Sequence, residues 1–202
     1  MIGMGPYDRT EIHFRRKLPL MRFQSLPLHG AFLVEIDKRE DERGFFARIY
    51  CEKEFAGQGA VGPFVQSNMS LSAQPYTLRG MHYQIGESAE NKYVRCLRGR
   101  TYNVIVDVRP DSPTFLQHHV FSLSAEKGNG VYVPRGFANG MMTLEPNTEL
   151  LYMVTNYYDP ARERGLRWND PLLGIEWPHE PAVMSNKDRV YPDYDPAYHL
   201  GR

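Results

Sequence analysis

Gly, Pro, Asn or Asp breaks this chain every few residues, and the apolar runs between the breaks are short and strand-like. Ala31-Phe32-Leu33-Val34-Glu35-Ile36 ends in a charged turn from Lys38 to Arg43. Phe45-Phe46-Ala47-Arg48-Ile49-Tyr50 has the aromatic and β-branched enrichment of a strand. Residues 93–97 lead into a turn at Arg98-Gly99, where glycine tolerates positive φ, and residues 101–108 return from it. Further strands are expected at 115–123, 130–133 and 149–157, with a helical turn at 52–57 and another after Pro181. Many short strands with few helical stretches indicate an all-β sandwich or barrel.

No repeat, linker or low-complexity tract divides the chain, so one domain is expected over residues 21–202. Residues 1–20 mix Gly, Pro and charge around Phe14-Arg15-Arg16-Lys17 and read as an N-terminal extension. The alternative for that basic run is a cap on a neighbouring subunit. The 24 basic and 24 acidic side chains cancel, which argues against general affinity for nucleic acid or membranes. There is no apolar run of about 18 residues and no leader-like N-terminus, so a cytoplasmic location is expected. Cys51 and Cys96 lack metal-ligand spacing and, in a reducing compartment, are expected to stay free.

Two segments carry the chemistry. Arg79-Gly80-Met81-His82-Tyr83-Gln84 and Pro134-Arg135-Gly136-Phe137-Ala138-Asn139-Gly140 resemble the paired signature motifs of the cupin barrel. In metal-binding cupins the first supplies two His one residue apart plus a Glu, and the second supplies another His. Residues two apart on a strand share a face, which aims both imidazoles into one interior. Here the second position is Gln84 and the later one Asn139, and amides are poor ligands for transition metals. One imidazole is not a metal site, so no metal is expected.

The resemblance narrows to the dTDP-4-dehydrorhamnose 3,5-epimerase family. Arg43-Gly44-Phe45-Phe46, Gln66-Ser67-Asn68-Met69-Ser70, Lys92-Tyr93-Val94-Arg95, Leu151-Tyr152, Ile175-Glu176-Trp177-Pro178 and Ser185-Asn186-Lys187-Asp188 match in order, along with the segment around His82. It implies a cupin-type double-stranded β-helix (jelly-roll) barrel with a few short helices. It also implies a homodimer acting without a cofactor on a nucleotide-linked 4-keto-6-deoxy sugar, with strands exchanged between barrels. Inverting a carbon beside a ketone needs a base, a proton donor on the opposite face, and a cation at the enolate oxygen. Imidazoles titrate near neutral pH, which suits His82 to the base. The resemblance implies Asp188 as its partner, Tyr152 as the proton donor and Lys92 as the enolate stabiliser. It sets Arg79, Gln66 and Asn68 at the sugar and diphosphate, and Arg43 and Phe46 near the nucleotide, by the partner's site.

Plainer readings stand beside these. A lone barrel His is often a hydrogen-bonded core residue, Tyr152 is one of 13 tyrosines, and Asp188 lies in a charged segment that reads equally as a solvated turn. Arg43 beside Gly44 is partly turn chemistry. His118 and His119 carry no assigned function, and Trp168 and Trp177 read as packing anchors. Three positions depart from the family pattern: Asn139 replaces a His, Asn103 an Asp, and Arg48 a Glu. The two Asn are expected to face the substrate as neutral amides and to alter which carbon or sugar is processed. Arg48 can only donate hydrogen bonds where a carboxylate accepts, which bears on the nucleobase. Competing readings are a non-catalytic sugar-nucleotide-binding cupin and a mono-epimerase acting on a sugar carried by another nucleotide.

Overall fold

The computed structural model describes residues 20–201. The chain enters through β1 (Met21–Ser25), β2 (Phe32–Ile36), the short hairpin β3 (Arg39–Asp41) and β4 (Gly44–Phe46), and α1 (Glu52–Ala56). The barrel strands follow: β5 (Gln66–Ser72), β6 (Thr77–Gln84), β7 (Lys92–Arg98), β8 (Arg100–Asp107) and β9 (His118–Ser124). They continue with β10 (Gly130–Val133), β11 (Phe137–Thr143) and β12 (Thr148–Val154). Short pieces complete it: β13 (Glu163–Gly165), β14 (Val183–Met184), α2 (Asn186–Arg189) and α3 (Pro196–Leu200).

One sheet runs β1-β2-β10-β7-β12-β5 and the other β13-β6-β11-β8-β9, with β14 parallel to β6. The main core lies between them. Val94, Cys96, Val131 and Leu150 from the first sheet meet Ile105, Leu123, Phe137 and Met141 from the second. Each sheet also buries part of its outer face. Tyr93, Val34 and Tyr132 pack there with Phe55 of α1, while Val104 and Val106 pack against Leu166 and Leu173. Strands covered on both sides need apolar residues at successive positions, which is why Val104-Ile105-Val106 shows no alternation. By contrast β5 alternates along its length, with Gln66, Asn68 and Ser70 on the more covered face.

The structure corrects several expected boundaries. The strand expected at 45–50 stops at Phe46, because the β3–β4 hairpin pairs with no further strand among the described residues. Tyr50 instead packs against Phe55 and Phe64. The strand expected from Phe115 begins at His118, since residues 112–117 form turns gathered around the buried Asp107 carboxylate. The strand expected at 149–157 runs from Thr148 to Val154. The reading also passed over β1, which pairs residue for residue with β2 and buries Met21 at 1% exposure. The N-terminal extension, apart from Leu20, lies outside the described residues. Both cysteines are free thiols, and Trp177 Nε1–H donates to Trp168 O.

Candidate active site

The space between the sheets opens into a cavity of about 590 Å³ whose wall includes Arg79, His82, Lys92, Asn139, Tyr152 and Asp188. A neighbouring lobe of about 360 Å³ adds Gln66, Asn68, Tyr158 and Glu163. His82, Lys92 and Tyr152 line both, so they stand where the lobes meet.

His82 lies on β6, in register with Asn139 of β11 on one side and Gly165 of β13 on the other. The approach of β6 to β11 is unusually close. Gly80 has φ +130°, and a Cβ there would stand 2.5 Å from Gly140 Cα, so only glycine fits. The Gly80 N–H points to Asp188 Oδ2 at 3.4 Å. Asp188 belongs to α2, whose first turn is capped by Ser185 Oγ accepting from the Asp188 N–H. Its other oxygen, Oδ1, lies 2.6 Å from His82 Nε2. Burial pushes the Asp188 carboxyl up, but the hydrogen bond and charge of His82, with Gly80 and Ser185, hold it below its ordinary value. A carboxylate only accepts, so Nε2 carries the proton and a neutral imidazole keeps its lone pair on Nδ1.

The opposing sheet supplies Tyr152 on β12, between Asn68 of β5 and Val94 of β7. Lys92 opens β7, where Nζ pairs with Glu90 Oε1 at 3.0 Å and donates to His82 O at 3.4 Å. Arg79 donates to Ser72 Oγ and Leu71 O, both at 3.2 Å. Gln66 Oε1 accepts the Tyr158 N–H. Gln84 is a structural amide, spanning Ser88 O, Glu90 and the Asp159 N–H. Among the described residues no group of three or more His, Cys, Asp or Glu could hold a metal ion.

Four of the expected site residues lie elsewhere. Asn103 shares a sheet face with Asn139 but is 1% exposed, and its amide donates to Thr101 Oγ1 at 2.8 Å instead of lining the cavity. Arg43 is ion-paired with Asp41 on the hairpin, Phe46 is 65% exposed, and Arg48 pairs with Glu54 at 2.8 Å. None of the three lines the cavity of its own chain. Sequence reading in turn missed Glu163, which accepts from Lys187 Nζ at 2.7 Å and from the Tyr158 hydroxyl at 2.9 Å on the rim. Lys187 sits beside Asp188 in a segment already singled out, whereas Glu163 carried no local signal.

Fold and cavity together define the class: a cupin-like jelly-roll barrel with a cavity between its two sheets. The family model described as dTDP-4-dehydrorhamnose 3,5-epimerase matches residues 25–195. The dTDP-4-dehydrorhamnose 3,5-epimerase of Sinorhizobium fredii is 44% identical over 177 residues, 87% of this chain and 91% of that protein. The crystal structure of dTDP-4-dehydrorhamnose 3,5-epimerase from Bacillus anthracis, with TDP and PPi bound, superposes with a TM-score of 0.84 at 40% identity, covering 86% of this chain and 99% of that one. The Legionella pneumophila epimerase in complex with dTDP-4-keto-L-rhamnose superposes at 0.79 and 34% identity, covering 87% and 99%. The chain belongs to the dTDP-4-dehydrorhamnose 3,5-epimerase family.

Proposed function

We propose that the protein epimerises a nucleotide-linked 4-keto-6-deoxy sugar at C3, at C5 or at both, without a cofactor. The observation that carries this reading is the His82–Asp188 pair at 2.6 Å, set in a cavity that Lys92 and Tyr152 also line. The hydrogens on C3 and C5 are acidic because the carbanion delocalises onto the C4 carbonyl oxygen. His82 removes one of them while Asp188 holds the ring in a single tautomer and orientation. Lys92 stabilises the enolate oxygen, and Tyr152 returns a proton from the other side. His82 and Tyr152 belong to opposing sheets, which supports attack and reprotonation on opposite faces of the sugar. Arg79, Gln66 and Asn68 hold the sugar and diphosphate.

The test is incubation with dTDP-4-keto-6-deoxyglucose in deuterium oxide, following the C3 and C5 protons by NMR. Deuterium entry at either carbon is expected, and binding without exchange would reduce the protein to a sugar-nucleotide-binding barrel.

Asn139 Oδ1 is buried in the cavity wall without a hydrogen-bond partner among the described residues. A sugar hydroxyl donating to it would satisfy that oxygen. Asn139→His is then expected to alter the C3-to-C5 product ratio while keeping total exchange within about tenfold. An unchanged ratio would dismiss this role.

In the same reading residues 21–202 work as one cytoplasmic unit and as a homodimer, with Arg43, Phe46 and Arg48 serving the partner's nucleotide site. The support is a β3–β4 hairpin whose Phe45 and Phe46 stand 60% and 65% exposed. A monomer in sedimentation at working concentration would count against it. Among the described residues no helix is long and apolar enough to cross a membrane.

A further inference from the structure

The His82 imidazole has a second neighbour besides Asp188. Tyr191, just beyond α2, meets it edge to face, with ring centroids 6.0 Å apart and planes at 70°. Tyr191 is 8% exposed, and its hydroxyl has no hydrogen-bond partner among the described residues. Its ring lies over Gly165, the β13 residue in register with His82, and a Cβ there would come within 2.2 Å of Tyr191 Cζ. The missing side chain at Gly165 therefore creates the slot that lets the phenol ring lie beside the imidazole.

That slot is built on a fixed base. Gly165 O lies 3.1 Å from His199 Nε2, and His199 is fully buried in α3. Asp195 N–H donates to Nδ1 of the same ring, so Nε2 is the nitrogen that carries the proton to Gly165. One residue further, Leu166 exchanges backbone hydrogen bonds with Met81, the neighbour of His82. Burial, then the Glu163 and Asp188 carboxylates, push the Tyr191 phenol above its ordinary value. It stays neutral and supplies a ring wall rather than a charge.

We propose that Tyr191 is a positioning residue that holds the His82 imidazole at the angle from which Nε2 meets Asp188, acting through His82 without touching substrate. Asp188 alone fixes one atom of the ring and leaves rotation about the side-chain bonds free. A packed edge on the ring removes that freedom. The proposal rests on His82 being the base only for its consequence in rate, not for its geometry.

The test combines ring NMR with kinetics on the full chain. In Tyr191→Phe the ring wall remains, so the His82 ring-nitrogen signals and the exchange kcat should match the parent. In Tyr191→Leu the Nε2–H signal should broaden or shift, and kcat should fall about 10- to 100-fold while KM moves less than about twofold. Because Leu could disturb folding, Gly165→Ala provides an independent route that pushes the ring aside. It should lower kcat in the parent but add little in the Tyr191→Leu background, a coupling that independent structural damage would not produce. Unchanged ring signals in Tyr191→Leu, or full additivity of the two substitutions, would overturn the proposal. Altered ring signals with an unaltered rate would likewise overturn the positioning role, while the role of His82 itself is read from His82→Ala.

Discussion

Replacing His82 by alanine is expected to lower the rate of deuterium entry at C3 and C5 by about 10³-fold or more, with nucleotide affinity within about twofold. General base catalysis by a placed imidazole contributes roughly 10²–10⁴-fold, and among the described residues the cavity wall holds no second histidine to take over. Asp188→Asn should cost about 10²-fold or more in kcat, because an amide can donate as well as accept and no longer dictates which nitrogen carries the proton. The pH dependence has a definite sign. The Asp188 carboxyl is depressed in the folded state, so its contribution is complete above its ordinary value of 3.8 and disappears as pH falls through the folded value. The stability this pair contributes should therefore be lost in acid below 3.8, and Asp188→Asn should flatten that acid limb of stability. A His82→Ala variant that exchanged at the parent rate would end the assignment.

The second large effect is on stability, at a carboxylate that does not line the cavity. Asp107→Ala is expected to destabilise the fold by about 3–5 kcal/mol, the cost of breaking a buried charge cluster from one side. In a chain of this size that is a fall in Tm of about 10 °C. Asp107 is 0% exposed and accepts from Arg109 Nε at 2.8 Å and Nη2 at 2.7 Å, and from Thr114 Oγ1 at 2.6 Å. The Arg109 backbone N–H and Ser112 Oγ complete the set. Burial pushes this carboxyl up, but these donors outweigh it and hold it below its ordinary value. Its stabilisation is thus present above pH 3.8 and lost as pH falls through the folded value. Arg109 also lies over the Phe137 ring at 4.5 Å, so the cluster ties the 108–117 loop to β11. Denaturant unfolding measures the loss directly. A change under about 1 kcal/mol would show that the loop contributes little, and the rate at 25 °C should not change.

The legible part of the site was the part carried by local spacing. Arg79, His82 and Gln84 could be set on one strand from their motif, and Gln84 and Asn139 could be recognised as amides at ligand positions. Asp188 was harder, since Ser185-Asn186-Lys187-Asp188 reads equally as a solvated turn. It is 3% exposed only because α2 docks against β6. Tyr191 and Glu163 left no trace at all. Tyr191 meets His82 and Gly165, and Glu163 meets Lys187, from distant parts of the chain, and neither lies in a motif.

By itself the residue pattern determined an all-β sandwich or barrel and its strand-and-turn punctuation, because hydrophobic period and turn chemistry act over a few residues. The barrel and the strand that carries His82 came from the resemblance to the cupin motifs. Residue pattern could not determine which of 13 tyrosines faces that histidine, and only the resemblance pointed to Tyr152. Alternation tells which residues share a face, but what stands across the cavity depends on how two sheets close over each other. That closure set Tyr152 opposite His82 and Tyr191 beside it. It also turned Asn103 toward Thr101 and left the Arg43–Phe46 hairpin outside the cavity of its own chain. Only tertiary packing decides where Tyr152 and Tyr191 stand, because each meets the His82 site from a segment remote in sequence, where no local energetic signal acts.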